Sequence, residues 1–320
     1  MQKRPLGRSG LETAPLVFGG NVFGWTADRE RSFALLDAFV DAGFNAIDTA
    51  DVYSRWVPGN TGGESETIIG EWLKARGRRD DVLILTKVGS AMGQNGDDGR
   101  HDLSPGWIER AVEDSLRRLQ TDVIDLYQAH WPDDRTPQEE TLRAFDRLVQ
   151  AGKVRAIGVS NHTAEATGEA LAISAREGLA HYETLQPRYN LYSRSTFEGP
   201  LQDLAVAQGL GVITYFSLES GFLTGKYRTA EEAAGTARGG GLKDKFDERG
   251  MRILATLRGV AERNEATPAQ VALAWLLTRP GVTAPIVSAT SLEQLSDTLK
   301  AAELTLSADD LAELTEASEA

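Results

Sequence analysis

The sequence predicts a closed barrel of eight parallel strands alternating with helices. Three observations carry that reading. Eight short apolar runs alternate with stretches of helical periodicity, as parallel βαβ units require. The turn after the first run, GGNVFGWT, holds Gly19, Gly20 and Gly24 outside the glycine spacing of an open dinucleotide-binding sheet. Four polar residues, Asp48, Tyr53, Lys87 and His130, fall at or just beyond the ends of the second, third and fourth runs. In a closed barrel those ends converge on one rim.

Residues 3–14, with a turn at Gly10, are expected to form a short hairpin closing the barrel bottom. The strand runs follow as Ala14–Gly19, Phe44–Asp48, Val82–Thr86, Val123–Gln128, Val154–Ser160, Glu183–Gln186, Gly211–Phe216 and Thr283–Ser288. Between them, apolar residues recur at three and four positions, as Ile108, Val112, Leu116 and Leu119 do. Thr136-Pro137-Gln138-Glu139 and Thr267-Pro268-Ala269-Gln270 read as capping boxes with proline at the first helical position. Ser307-Ala308-Asp309-Asp310 is a weaker version. The glycine-rich stretch Thr229–Gly241 follows the seventh strand and reads as a functional loop on the rim.

The bulk numbers suit one α/β domain spanning 1–320. Of the 320 residues 41% are hydrophobic and 25% charged, enough to fill a large core. No apolar run is long enough to cross a bilayer, and MQKRPLGRSG lacks the apolar stretch of a secretory signal. Cysteine is absent, which excludes disulfides and thiolate chemistry and fits a cytoplasmic protein. The net charge of −13 argues against nucleic acid and anionic membrane as partners. Arg76, Arg78, Arg79, Arg117 and Arg118 read as helix surface. No heptad pattern indicates an oligomer, and no metal cluster is in evidence.

Each rim residue has an ordinary alternative: Asp48 as a helix cap, Tyr53 and His130 as packed core residues, Lys87 as a solvated end. Together they form a unit. A tyrosine ionises near pH 10, too high for easy proton exchange. An adjacent ammonium, Lys87, would lower that value, and Asp48 would hold the lysine charged. His130 would donate to a carbonyl oxygen while Tyr53 delivers the proton. With no serine, cysteine or metal nucleophile evident, the carbon must be attacked by a cofactor hydride.

Over nearly its whole length the chain resembles the aldo-keto reductases. The matching motifs are GFNAIDTADVY (43–53), LTKVG (85–89), DLYQAHWPD (125–133), GKVRAIGVSN (152–161), LQPRYNLYSR (185–194) and SGFLTGKY (220–227). The resemblance implies a (β/α)8 TIM barrel that reduces aldehydes and ketones without metal, using NADP(H) or, less often, NAD(H). It assigns the family's tetrad to Asp48, Tyr53, Lys87 and His130, with Tyr53 as acid and base. Ser160, Asn161 and Gln186 would hold the nicotinamide carboxamide, and Tyr215 would stack on the ring. The Leu218–Gly225 loop, with Gly221 and Leu223, would take the pyrophosphate, and Phe216, Ser217 and Lys226 would be further cofactor-binding residues. Ser288, Ala289, Thr290, Ser291 and Gln294 would hold the far end of the cofactor.

Two departures from the family pattern stand out. Relatives commonly read Tyr-Ser-Pro-Leu after strand seven; here Tyr215-Phe216-Ser217-Leu218 displaces the hydroxyl by one position. The segment 286–299 lacks the basic residue that often grips the 2′-phosphate, leaving Arg228, Arg238, Lys243 or Lys245 to reach over from the loop. NADP(H) is thus the default and NAD(H) the competitor. Trp25, Trp56 and Trp131, joined by Tyr192 and Phe222, are expected to form aromatic substrate walls. Two other functions remain open: a nucleotide-binding sensor or scaffold with weak turnover, and a lyase using Lys87 as a Schiff-base nucleophile.

Overall fold

The computed structural model describes residues 1–92 and 99–319. Strands β1 (Arg4–Pro5) and β2 (Glu12–Thr13) pair antiparallel as the expected hairpin. The other strands are β3 (Val17–Gly19), β4 (Ala46–Asp48), β5 (Leu83–Val88), β6 (Ile124–Ala129), β7 (Val154–Ser160), β8 (Tyr182–Gln186), β9 (Gly211–Thr214) and β10 (Val282–Val287). They close in sequence order, with β10 pairing parallel to β3, so the fold is a (β/α)8 barrel.

The α-helices are α1 (Arg29–Asp41), α2 (Glu64–Arg76), α3 (Pro105–Leu119), α4 (Gln138–Gln150), α5 (Ala164–Glu177), α6 (Pro200–Gln208), α7 (Ala230–Ala234), α8 (Glu248–Arg263), α9 (Pro268–Leu277), α10 (Leu292–Leu299) and α11 (Ala308–Ala317). In α3 the predicted stripe is met: Ile108, Val112 and Leu119 are fully buried, and Leu116 packs against the core. Thr267 and Gln270 form the reciprocal capping box that starts α9. Ser307 accepts from Asp310 N–H to start α11. The second expected box does not form. Pro137 precedes α4, which lacks a side-chain cap, and Thr136 Oγ1 donates to Asp133 Oδ2 at 2.7 Å. Among the described residues, no helix is long and apolar enough to cross a membrane.

The barrel interior is apolar at its base. Leu6 and Leu11 of the hairpin cluster with Val17, Ala46, Leu85, Leu126, Ala156, Ile213 and Ala284. Gly211 lets the hairpin approach: a Cβ there would come within 2.6 Å of the Gly7 nitrogen and 2.9 Å of Leu6 Cα. The opposite strand faces pack beneath the helices, as Ile47, Ile84, Tyr127 and Val212 do.

Candidate active site

Side chains alternate across a strand, so residues two apart share a face. The apolar base residues therefore fix what points inward above them. Ala46 leads to Asp48, Leu85 to Lys87, Leu126 to Gln128, Ala156 to Gly158 and Ser160, Ile213 to Tyr215, and Ala284 to Ile286 and Ser288. A side chain at Gly158 would collide with Thr184 Oγ1, so its absence leaves room for this polar layer.

Lys87 is fully buried within β5, one residue before the strand ends, instead of just beyond it. Its Nζ donates to Asp48 Oδ2 at 2.7 Å, to the Thr49 carbonyl at 2.8 Å and to Tyr53 Oη at 2.9 Å. The Tyr53 hydroxyl donates weakly to Asp48 Oδ2 at 3.4 Å. Gln186 Nε2 donates to Asp48 Oδ1 at 2.9 Å and to Gln128 Oε1 at 3.2 Å. His130 starts the loop after β6, where its N–H bonds the Val88 carbonyl at 2.8 Å. Its ring meets the Tyr53 ring edge-on, centroids 6.1 Å apart. The four predicted rim residues are thus brought together, with Asp48, Tyr53 and His130 on the cleft wall and Lys87 directly behind Tyr53.

The electrostatics differ from expectation at Tyr53. Burial pushes the phenol up to about 12; Lys87 pulls it down, as expected, and Asp48 pushes it up. Burial outweighs the ammonium, so the phenol is held in the form that gives a proton. At Lys87 burial alone would lower the value, but Asp48 and Tyr53 together raise it, and the ammonium stays charged. Burial, then the Lys87 charge, push the His130 imidazole well below its ordinary value, so it is neutral at pH 7. Its buried Nδ1 has no hydrogen-bond partner among the described residues.

Above this group opens a cleft of about 650 Å³. On one side Asn161 bridges two elements: its Nδ2 donates to the His130 carbonyl at 2.9 Å and its Oδ1 accepts from Tyr215 Oη at 2.6 Å. Ser160 Oγ donates to the Gln186 carbonyl at 2.8 Å. The stretch after β9 is irregular: Phe216, Glu219 and Ser220 have φ of 52°, 46° and 54°, and Gly221 has 93°. Within this stretch the Glu219 N–H bonds the Phe216 carbonyl at 2.7 Å and the Gly221 N–H bonds the Leu218 carbonyl at 2.9 Å. Ser217, Leu218, Gly221 and Lys226 lie on the cleft wall. At the far end the wall is Ser288, Thr290 and Gln294, with α10 capped by Ser291. These donors suit a carboxamide, a pyrophosphate and a ribose, so the residues present fit a nicotinamide dinucleotide.

Several predicted residues lie off the cleft wall. Leu223 is fully buried in the hydrophobic core, and Gly225 is a left-handed cap at φ 68°. Ala289 is buried, and Ser291 directs its hydroxyl to the Gln294 N–H. Trp25 packs edge-on behind Trp56, centroids 5.6 Å apart, while Trp56 and Trp131 face the cleft at 48% and 36% exposure. Phe222 is a core residue, and Tyr192 packs on it away from the opening. Of Arg228, Arg238, Lys243 and Lys245, Arg238 lies on the cleft wall. Arg228 pairs with Glu232, Lys245 approaches Glu219 at 3.7 Å, and Lys243 is exposed.

Sequence reasoning missed Gly19, Asn21, Thr267 and Asp297, all on the cleft wall, whereas Ser220 and Thr224 fall within the expected 218–225 loop. Asp297 accepts from Thr267 Oγ1 at 3.0 Å and from Gln270 Nε2 at 2.7 Å, so the capping box of α9 also buttresses the cleft. Glu219 is buried, ion-paired with Arg188 and bonded by Asn190 Nδ2 at 2.6 Å, which pins the irregular stretch from below. The strict period of the strands reveals inward residues; it carries no signal for wall residues contributed by loops and helix starts.

The aldo/keto reductase family model matches residues 15–319. The uncharacterized oxidoreductase YrpG of Bacillus subtilis is 37% identical over 310 residues, covering 96% of this chain and 92% of the relative. Protein tas of Escherichia coli is 35% identical over 338 residues, covering 98% and 96%. A probable voltage-gated potassium channel subunit beta of Oryza sativa is 35% identical over 313 residues, covering 94% and 91%. By a match of this extent the chain belongs to the aldo/keto reductase family and is an NAD(P)H-dependent oxidoreductase.

Proposed function

We propose that the chain reduces aldehydes and ketones to alcohols, reversibly, with Tyr53 as the group that hands a proton to the carbonyl oxygen. The observation that carries this reading is the buried ammonium of Lys87 2.9 Å from the Tyr53 hydroxyl. The nicotinamide, when bound, supplies a hydride to the carbonyl carbon. The chain's own groups do the rest. Tyr53 gives its proton as negative charge grows on oxygen, and Lys87 stabilises the phenolate left behind. Asp48 keeps Lys87 charged and aimed. The neutral His130 ring offers one N–H to the same oxygen and fixes its direction. Ser160, Asn161 and Gln186 would orient the carboxamide, and Tyr215 would pack on the ring.

NADP(H) is the cofactor we assign, with NAD(H) the competitor. Lys226 and Arg238 are cations of the cleft wall, and burial pushes the Arg238 guanidinium down, with Tyr227 and Tyr53 pulling the other way. An anionic phosphate would relieve that penalty. The Schiff-base alternative fares poorly, because Lys87 lies sealed behind Tyr53 with its three hydrogens directed at Asp48, Thr49 and Tyr53. A sensor or channel-subunit role would be favoured by tight cofactor binding with negligible turnover.

Trp56 and Trp131 suit an uncharged carbonyl compound bearing a ring. The test is NADPH oxidation by the full-length protein with an aryl aldehyde and a short alkyl aldehyde. Trp131→Ala is expected to raise KM about tenfold for the aryl substrate and little for the alkyl one. Equal effects on both would remove the ring preference, and wild-type turnover no faster than that of Tyr53→Phe would end the reductase assignment.

A further inference from the structure

The proton chemistry accounts for Asp48, Tyr53 and Lys87 but leaves Asp51 unexplained. Asp51 lies two residues before Tyr53, in the turn between β4 and the phenol, and is 2% exposed. Its N–H donates to the Lys87 carbonyl at 3.3 Å, tying the turn to the strand that carries the ammonium. Neither carboxyl oxygen has a hydrogen-bond partner among the described residues.

Four neighbouring elements bring a charged or titratable group within electrostatic reach of it. Glu66 from α2 is fully buried, accepting from Thr86 Oγ1 at 2.6 Å and from Arg118 Nε at 2.7 Å. Arg118 comes from α3, so one guanidinium stands against two buried carboxyls. Lys87 from β5 lies within electrostatic reach. Tyr127 from β6 does too, and its buried hydroxyl also lacks a partner among the described residues. The turn cannot easily retreat. A Cβ at Gly62 would come within 3.0 Å of the Asp51 carbonyl, and one at Gly63 would strike the Arg118 side chain.

We propose that Asp51 is a positioning residue for Tyr53: wedged beside the Glu66–Arg118 pair, it holds the Thr49–Tyr53 turn against β5 as the uncharged acid, and its ionisation loosens the phenol from Lys87. The kinetic part of this inference rests on the reductase reading; the structural part does not. Burial, then the Glu66 charge, push the Asp51 carboxyl up to about 8, against Arg118, the Val52 N–H and Lys87. A second buried negative charge beside Glu66 is poorly tolerated. The strain falls on the segment that presents Tyr53.

The first test compares Asp51→Asn with wild type for aldehyde reduction between pH 7 and 9. The ratio of variant to wild-type kcat is expected to rise about tenfold, because a single ionisation near pH 8 removes most of the competent wild type by pH 9. A flat ratio overturns the proposal. The second test needs no turnover. Between an unfolded value near 3.8 and a folded value near 8, the unfolded chain releases a proton that the folded chain keeps, so Asp51 lowers stability as pH rises through that window and no further above it. The stability of wild type relative to Asp51→Asn is therefore expected to fall from pH 5 to pH 8 and then level off; a constant difference overturns the inference. If the variant does not fold, infrared difference spectra of the wild type between pH 6.5 and 9.5 decide. Loss of one buried carboxylic-acid band supports the assignment, and its absence sinks it. Failure of the reductase reading would show separately, as no turnover by either protein.

Discussion

Lys87 Nζ lies 2.9 Å from Tyr53 Oη with its other two hydrogens fixed on Asp48 and the Thr49 carbonyl, so the ammonium has no freedom to turn away from the phenol. Removing the hydroxyl should separate binding from chemistry. Tyr53→Phe keeps the ring against Trp56 and His130. We expect cofactor affinity by fluorescence titration to stay within about threefold of wild type, while kcat falls about 100-fold or more. A parallel loss of affinity would mean that the ring, not the proton, matters.

Arg238 offers a test of cofactor choice. Replacing it with alanine is expected to weaken NADPH about tenfold, with a smaller effect on NADH, and to flatten the salt dependence of NADPH binding. Equal losses for both cofactors, read by titration at two ionic strengths, would remove Arg238 from 2′-phosphate recognition.

His130 contributes to the acid side of the stability profile. Its folded value is depressed below an unfolded value near 6.5, so the unfolded chain takes up a proton that the folded chain refuses. The stability present above about pH 6.5 is then lost as pH falls toward the folded value. Denaturant titrations of His130→Gln should show a shallower decline between pH 6.5 and 5 than wild type; an identical slope would assign the decline elsewhere.

At the barrel base, Gly211→Ala forces backbone atoms of Leu6 and Gly7 to move. Overpacking of this kind costs about 1–3 kcal/mol, readable as a lowered Tm. Because the hairpin lies at the end of the barrel opposite the cleft, kcat/KM at 25 °C should change less than threefold. A larger kinetic loss would show that the base and the cleft are coupled.

The fold was legible because the eight strand runs are short, apolar and evenly interleaved with helical periodicity; most boundaries agree with the observed strands to within two residues. That Asp48, Lys87 and His130 meet was legible because they sit on or just beyond those strands, where parity fixes direction; Tyr53 lies in the turn after β4, where it does not. Leu223 and Trp25 show where legibility ends. Both belong to segments whose backbone follows no period, and which side of such a loop faces the cleft depends on packing partners far away in sequence. Tyr53 shows a second limit. The sign of the Lys87 effect follows from chemistry, but the larger contribution, burial, depends on the packed structure. Thr136 shows a third: its hydroxyl bonds the Asp133 carboxylate instead of capping the helix, a local competition that the motif alone does not decide.

On six of the eight barrel strands the inward face passes from hydrocarbon below to heteroatoms above within two to four positions. A slip of two positions by any one strand would therefore keep oil inside and water outside, and the chain would still close. It would nevertheless raise or sink that strand's contribution by one rung of the ladder, pulling an amine or a carboxylate out of the shared plane. Misregistered molecules of this kind would be compact, soluble and inert, and a preparation holding them would show full secondary structure beside a shortfall in titratable cofactor sites.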